Sequence, residues 1–185
     1  LTYLGKRSNF ERVARDYYPT PLAAVLPLLP HLAQRFTDDF PTFVEPCAGD
    51  GRLINHLVQN SDMRCVWALD IEPRPSVSHP IEQKDALEES YSHCDYIITN
   101  PPWDRKILHP MIEHFTSFCP TWLLFDADWA HTKQSAPYMK MCVKIVSIGR
   151  VKWIEDSKMT GKDNCAWYLF DANHDSPTEF YGRIK

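Results

Sequence analysis

The segment Asp95-Tyr96-Ile97-Ile98-Thr99-Asn100-Pro101-Pro102-Trp103 ends an apolar run with a carboxamide, two prolines and an aromatic ring. The prolines fix φ and remove two backbone donors, so nearby carbonyls act as acceptors without competing N–H groups. Asn100 adds a side-chain carbonyl, and Trp103 adds a flat face on which a planar substrate can stack. This combination suits a planar molecule bearing an amino group. Such an amine is a poor nucleophile because its lone pair is delocalised. If the Asn100 oxygen and the Pro101 carbonyl accept from its two protons, the nitrogen is drawn toward a tetrahedral form with its lone pair free. Positioning and electrostatics then do most of the work, and no strong base is required. Read as structure alone, the same residues make a rigid loop.

Two segments upstream supply a site for a second molecule. Phe43-Val44-Glu45-Pro46-Cys47-Ala48-Gly49-Asp50-Gly51-Arg52-Leu53 reads as a strand ending in an acid, a Gly-x-Gly turn and a helix. Glycines at 49 and 51 permit positive φ and close approach of a ligand at the carboxyl end of a strand. Glu45 suits a cationic group better than a phosphate, and neither G-x-G-x-x-G nor a Gly-Lys-Ser/Thr phosphate loop is present. Cys65-Val66-Trp67-Ala68-Leu69-Asp70-Ile71-Glu72-Pro73 is a second strand ending in an acid. An acid at that place hydrogen-bonds ribose hydroxyls in doubly wound folds; Asp70 is the first choice and Glu72 the second. Asp85, in Gln83-Lys84-Asp85-Ala86-Leu87, is placed either to accept from an adenine amino group or to cap a helix.

These residues need a scaffold of strands that deliver them to one edge. Short Val/Ile/Phe/Trp-rich runs alternate with helix-compatible stretches, which argues for βαβ units and a parallel sheet. The pattern predicts strands at 42–45, 65–70, 96–99, 122–125, 143–148 and 166–170. It predicts helices at 22–35 (broken or bent at Pro27 and Pro30), 52–59, 107–119 and 133–141, with Pro110 in a first turn. No repeat, low-complexity tract or linker is visible. The 185 residues are therefore expected to form one domain: an N-terminal segment over 1–37, a core over 38–171 and a tail over 172–185.

Composition narrows the rest. Hydrophobic residues at 44% and charged residues at 24% are near globular averages and exclude disorder, collagen and coiled coil. Apolar stretches are too short to span a bilayer and no charged-then-apolar leader opens the chain, so a soluble, cytoplasmic location is expected. The six cysteines stand singly, without metal-ligand spacing, and read as reduced thiols; no metal is expected. Net charge is −4, divided as +3 over residues 1–37, −9 over 38–126 and +2 over 127–185. An acidic middle with basic ends argues against coating nucleic acid by charge alone, yet permits a basic rim around a cleft.

With these motifs in order, residues 17–171 resemble the class I S-adenosylmethionine-dependent methyltransferases, specifically the N6-adenine type. Glu45-Pro46-x-x-Gly49-x-Gly51 resembles the cofactor motif, Asp70 the ribose acid, Asp85 the adenine contact and Asn100-Pro101-Pro102-Trp103 the catalytic motif. Tyr17-Tyr18-Pro19-Thr20-Pro21 is similar to the segment that helps hold the methionine end of the cofactor. The resemblance implies a Rossmann-like domain with helices on both faces of a mostly parallel seven-stranded sheet, its last strand antiparallel. It implies cofactor binding by Tyr18, Thr20, Pro21, Glu45, Cys47, Ala48, Gly49, Gly51, Asp70, Ile71, Asp85, Ala86 and Asn100. S-adenosyl-L-homocysteine would be the product. The order, cofactor motif before catalytic motif, is that of the gamma arrangement among DNA adenine methyltransferases.

The implied partner is DNA, methylated with low or short sequence specificity. RNA adenine and a protein glutamine amide are the alternatives, because each presents an amino group to the same acceptors. Members of this kind usually carry a target-recognition domain, and about 15 residues follow the last expected strand, so recognition is expected from small elements. Candidates are the basic-aromatic N-terminus, Trp129 and His131 in the loop after the strand at 122–125, and Lys158 and Lys162 with Trp153 in the segment 140–162. Trp129 reads equally as a core-edge residue, and His131 as the start of a helix.

Overall fold

A computed structural model describes residues 17–32, 39–76, 78–154, 156, 158 and 160–184. Its eight strands are β1 (Thr42–Glu45), β2 (Arg64–Asp70), β3 (Glu82–Gln83), β4 (Tyr96–Thr99), β5 (Thr121–Asp126), β6 (Cys142–Arg150), β7 (Asn164–Phe170) and β8 (Glu179–Tyr181). The helices are α1 (Leu22–Val25), α2 (Arg52–Asn60), α3 (Arg105–Thr116) and α4 (Ala136–Met139), with short 3-10 turns between some elements. One sheet runs in the order β3-β2-β1-β4-β5-β7-β6-β8. β7 is antiparallel to β5 and β6, while the other neighbouring pairs are parallel.

Strand β5 shows why the sheet is double-layered. Its residues Thr121 to Phe125 are all buried, the run expected of a parallel strand covered on both faces. Trp122 and Leu124 pack with Leu53, Ile54, Leu57 and Trp167 on one face, against α1 and α2. Leu123 and Phe125 pack with Leu108, Ile112, Phe115, Tyr168 and Phe170 on the other, against α3. The Trp167 indole donates to the Ala24 carbonyl at 2.8 Å and so satisfies a backbone acceptor of the short α1.

The expected α/β class holds, with differences at its edges. The sheet has eight strands where seven were expected, because residues 179–181 of the expected tail pair with β6. The two-residue β3 gave no hydrophobic pattern; it exists because Leu69 and Asp70 of β2 offer it an edge. Helix 22–35 reduces to α1 and a turn at Leu29–His31, in accord with a break at Pro27 and Pro30; residues 33–35 lie outside the described residues. The region 133–141 is a 3-10 turn followed by α4. Helix α3 starts two residues earlier than expected because the Asp104 carboxylate accepts from the Lys106 N–H at 3.0 Å. Pro110 therefore lies inside that helix, not in its first turn, and leaves one intrahelical acceptor unfilled.

Candidate active site

Because β1 lies between β2 and β4, the connections from β1 and β4 leave on opposite sides and open a crevice beyond the strand ends. A cavity of about 710 Å³ lies there. It is lined by residues ending or following four strands: Glu45 to Asp50 after β1, Asp70 to Glu72 after β2, Asp85 to Leu87 after β3, and Asn100 and Pro102 after β4. Tyr17, Tyr18, Pro19 and Thr20 form a strap along one wall, and Ile107 and Met111 of α3 supply apolar lining.

Both turn glycines have left-handed φ, +56° at Gly49 and +77° at Gly51, so the sharp exit from β1 depends on them. At Gly49 there is no room either: a Cβ would lie 2.7 Å from the Tyr17 ring. The turn is tied to β2 through Asp70, whose carboxylate accepts from the Gly49 N–H and the Glu72 N–H, both at 2.8 Å. We expect Gly49→Ala to cost about 1–2 kcal/mol through backbone strain and to push the strap outward. Melting curves of the two proteins check this; an unchanged midpoint would show that the turn tolerates a side chain.

The electrostatics select a cation. Glu45, Asp50, Asp70, Glu72, Asp85 and Asp104 line the cavity, with Arg74 as the one basic side chain among the lining residues described. Glu45 is only 2% exposed, and its Oε2 has no hydrogen-bond partner among the described residues. Burial, then the charges of Asp70 and Asp50, hold its carboxyl well above the usual carboxylate range. Burial and Asp50 also push the Tyr17 phenol up to about 12, so this ring stays a neutral wall. Arg74 lies 5.0 Å from the centre of the Tyr17 ring, and its backbone N–H donates to the Gly49 carbonyl at 2.9 Å.

A pH dependence follows. Glu45 holds its proton more tightly in the folded chain than in the unfolded one, so folded-state stability falls as pH rises from the ordinary carboxylate range toward its folded value. A cation beside Glu45 reverses this, because it pairs with the ionised form. We expect the protein alone to melt lower on going from about pH 5 to about 8, and Glu45→Gln to flatten that slope. Thermal melts of both proteins across the range test it; equal slopes would place the dependence elsewhere.

At the acceptor end, the Asn100 Nδ2 donates to the Tyr18 carbonyl and to Thr20 Oγ1, each at 3.2 Å. Its Oδ1 accepts from the Trp103 indole at 3.3 Å. Trp153 stands beside this group, its ring centre 6.2 Å from Tyr18 and 5.9 Å from Trp103. Close packing of its indole over Gly161 holds it there: a Cβ at that glycine would meet the indole at 3.3 Å.

No protein-family profile matches the chain, and no curated protein sequence does. Solved structures do match. A protein from Listeria monocytogenes assigned as a class I S-adenosylmethionine-dependent methyltransferase superposes with a TM-score of 0.61 at 10% identity, over 96% of this chain and 68% of that one. A Pyrococcus horikoshii protein assigned as an RNA methyltransferase gives 0.54 at 15% identity, over 88% of this chain and 90% of that one. The methyltransferase subunit of a type I restriction-modification system from Streptococcus thermophilus gives 0.52 at 10% identity, over 84% and 45%. The chain has the class I methyltransferase fold. It spans less than half of the restriction-modification subunit.

In this methyltransferase fold the residues singled out in the sequence fall into three groups. Tyr18, Thr20, Glu45, Cys47, Ala48, Gly49, Asp70, Ile71, Asp85, Ala86, Asn100 and Pro102 line one cavity. Pro21, Gly51, Pro101 and Trp103 stand next to lining residues but are not lining themselves; Pro21 is the N-cap of α1 and Gly51 that of α2. Trp129, His131, Lys158 and Lys162 are not among the residues that line the cavity. The substrate-facing role expected of Trp129 is corrected: it is fully buried against Phe125, Tyr168 and Phe170, and its indole donates to His109 Nε2 at 3.0 Å. His131 ends a 3-10 turn, exposed, and does not start a helix of the α type.

Some lining residues gave no signal in the sequence. Arg74 follows the Asp70-Ile71-Glu72-Pro73 run in a stretch without pattern, and Ile107 and Met111 read only as one face of a helix. Asp50 lay between the two glycines and could have been read as a third acid of the turn. The six cysteines stand as free thiols. Among the described residues no cluster of metal-ligating side chains occurs and no helix is long and apolar enough to cross a membrane.

Proposed function

We propose that this protein is an S-adenosylmethionine-dependent methyltransferase that modifies the N6 amino group of adenine in DNA, with low or short sequence specificity. The observation that carries the reading is the pairing of an acid-lined cavity with Asn100 at the end of β4. The residues fit the cofactor. Its sulfonium and its α-ammonium are both cationic, matching a cavity lined by six acidic side chains, among them Glu45 with its orphaned oxygen. Asp70 keeps a free lone pair on each oxygen after accepting from Gly49 and Glu72, enough for two ribose hydroxyls. Ile71 and Leu87 offer apolar surface to an adenine ring and Asp85 an acceptor for its amino group.

When bound, S-adenosylmethionine supplies an activated methyl group. The chain's own residues then have a limited task. The turn at 47–51 and the strap at 17–20 enclose the site and exclude water. Asn100 orients the acceptor amine by accepting a hydrogen bond from one of its N–H groups. The rigid Pro101-Pro102 segment keeps that oxygen fixed relative to the strand end. An adenine in duplex DNA must first leave the stack, at a cost of a few kcal/mol, so single-stranded or mismatched DNA is expected to react faster.

The test is to incubate the protein with methyl-labelled S-adenosylmethionine and, in parallel, unmethylated duplex DNA, single-stranded DNA, RNA and a protein extract. Label recovered as N6-methyladenine in DNA supports the proposal, and label confined to RNA or protein overturns the choice of acceptor.

A further inference from the structure

The hydrogen bonds of Asn100 leave its side chain with a single open valence. A carboxamide has two N–H donors and two lone pairs on oxygen. Both N–H groups are used, on the Tyr18 carbonyl and Thr20 Oγ1, and one lone pair takes the Trp103 indole N–H. A backbone carbonyl such as that of Tyr18 can only accept, so the amide cannot be turned over without losing that bond. One lone pair on Oδ1 remains for an incoming amine.

Trp103 is the residue that turns this oxygen. Its N–H is shared between Asn100 Oδ1 at 3.3 Å and the Leu124 carbonyl at 3.2 Å. Leu124 belongs to β5 and is completely buried, so the indole links the amide to the most enclosed strand of the sheet. The ring is not among the residues that line the cavity: it packs, partly buried, against both hydrophobic clusters, and Trp153 meets it edge to face. Arg105 fixes the other side of the residue, donating to the Trp103 carbonyl at 3.5 Å and to Asp126 at 2.9 Å.

We propose that Trp103 is a positioning residue, whose indole N–H holds the Asn100 carbonyl toward the acceptor amine, and not a surface on which the acceptor stacks. This rests on the methyltransferase reading above. The two roles separate in kinetics. A stacking residue contributes to acceptor binding and tolerates another aromatic ring. A positioning N–H contributes to turnover and is lost with any ring that lacks it.

The experiment compares wild type with Trp103→Phe and with a protein carrying 3-benzothienyl-alanine at position 103, which keeps the bicyclic shape and removes only the N–H. Methyl transfer from S-adenosylmethionine to an unmethylated, adenine-containing single-stranded oligonucleotide is measured for each. We expect kcat to fall about five- to tenfold, the worth of one neutral hydrogen bond, in both proteins. KM for the oligonucleotide and the Kd for S-adenosylmethionine should stay within about twofold. Unchanged kcat in the benzothienyl protein overturns the proposal, as does a raised KM at constant kcat. The benzothienyl protein decides the matter if Trp103→Phe does not fold. If wild type transfers no methyl group to the oligonucleotide, the methyltransferase reading has failed separately. The positioning bond is then read by NMR: the Trp103 indole N–H resonance should move in Asn100→Ala, and an unmoved resonance overturns the proposal.

Discussion

Asn100→Ala should lower methyl transfer by about a hundred- to a thousandfold, the usual cost of removing one preorganised polar group from a reacting centre. The substitution removes the acceptor for the substrate amine and leaves the carbonyl of Pro101 to act alone. It also frees the strap, because Tyr18 and Thr20 lose their bonds to Nδ2. Those bonds are neutral and lie at a partly exposed site, so the affinity for S-adenosylmethionine should fall by less than about tenfold. Single-turnover rates with saturating cofactor separate the two effects. A variant that binds and turns over like wild type would remove Asn100 from the chemistry.

The second large effect is expected at Asp70. Its carboxylate already fixes the cavity wall by accepting from Gly49 and Glu72, and it lines the cavity with lone pairs to spare. Hydrogen bonds to a charged group contribute about 1.5–3 kcal/mol each, so Asp70→Ala should weaken cofactor binding by about 3 kcal/mol, more than a hundredfold in Kd. The same change releases the Gly49 turn and should lower the melting temperature without ligand. Glu72→Ala is the control: its side chain is exposed at the cavity rim, and a small change in Kd is expected. If calorimetry gave the larger loss for Glu72→Ala, the ribose-binding role would move to that residue.

These two residues were also the ones most legible in the sequence, and for the same physical reason. An apolar strand that ends in an acid, or that runs into an asparagine followed by prolines, is a local pattern. The bounds of β1 and β4 come out as the residue pattern predicts because their apolar runs stop at Glu45 and Thr99. What remained hidden depends on contacts distant in the chain. Trp129 reads in the sequence equally as a substrate-facing aromatic and as a core-edge residue, and the 3-10 turn at Ala127–His131, which folds it under β5 and β7, decides for the core. Trp103 looks like a platform, but the carbonyl that captures its indole belongs to β5, 21 residues on. β8 carries Phe180 and Tyr181 on an exposed edge, so no buried face marks it as a strand. The N-terminal basic-aromatic residues before Tyr17 lie outside the described residues.

The proposed role of Asn100 and the acid-lined cavity is methyl transfer to the N6 amino group of adenine. The most direct test is nucleoside mass spectrometry of unmethylated DNA after incubation with the protein and deuteromethyl-labelled S-adenosylmethionine. Labelled N6-methyladenine is expected, with Asn100→Ala producing almost none. Label on cytosine, or no label in any deoxynucleoside, would contradict it.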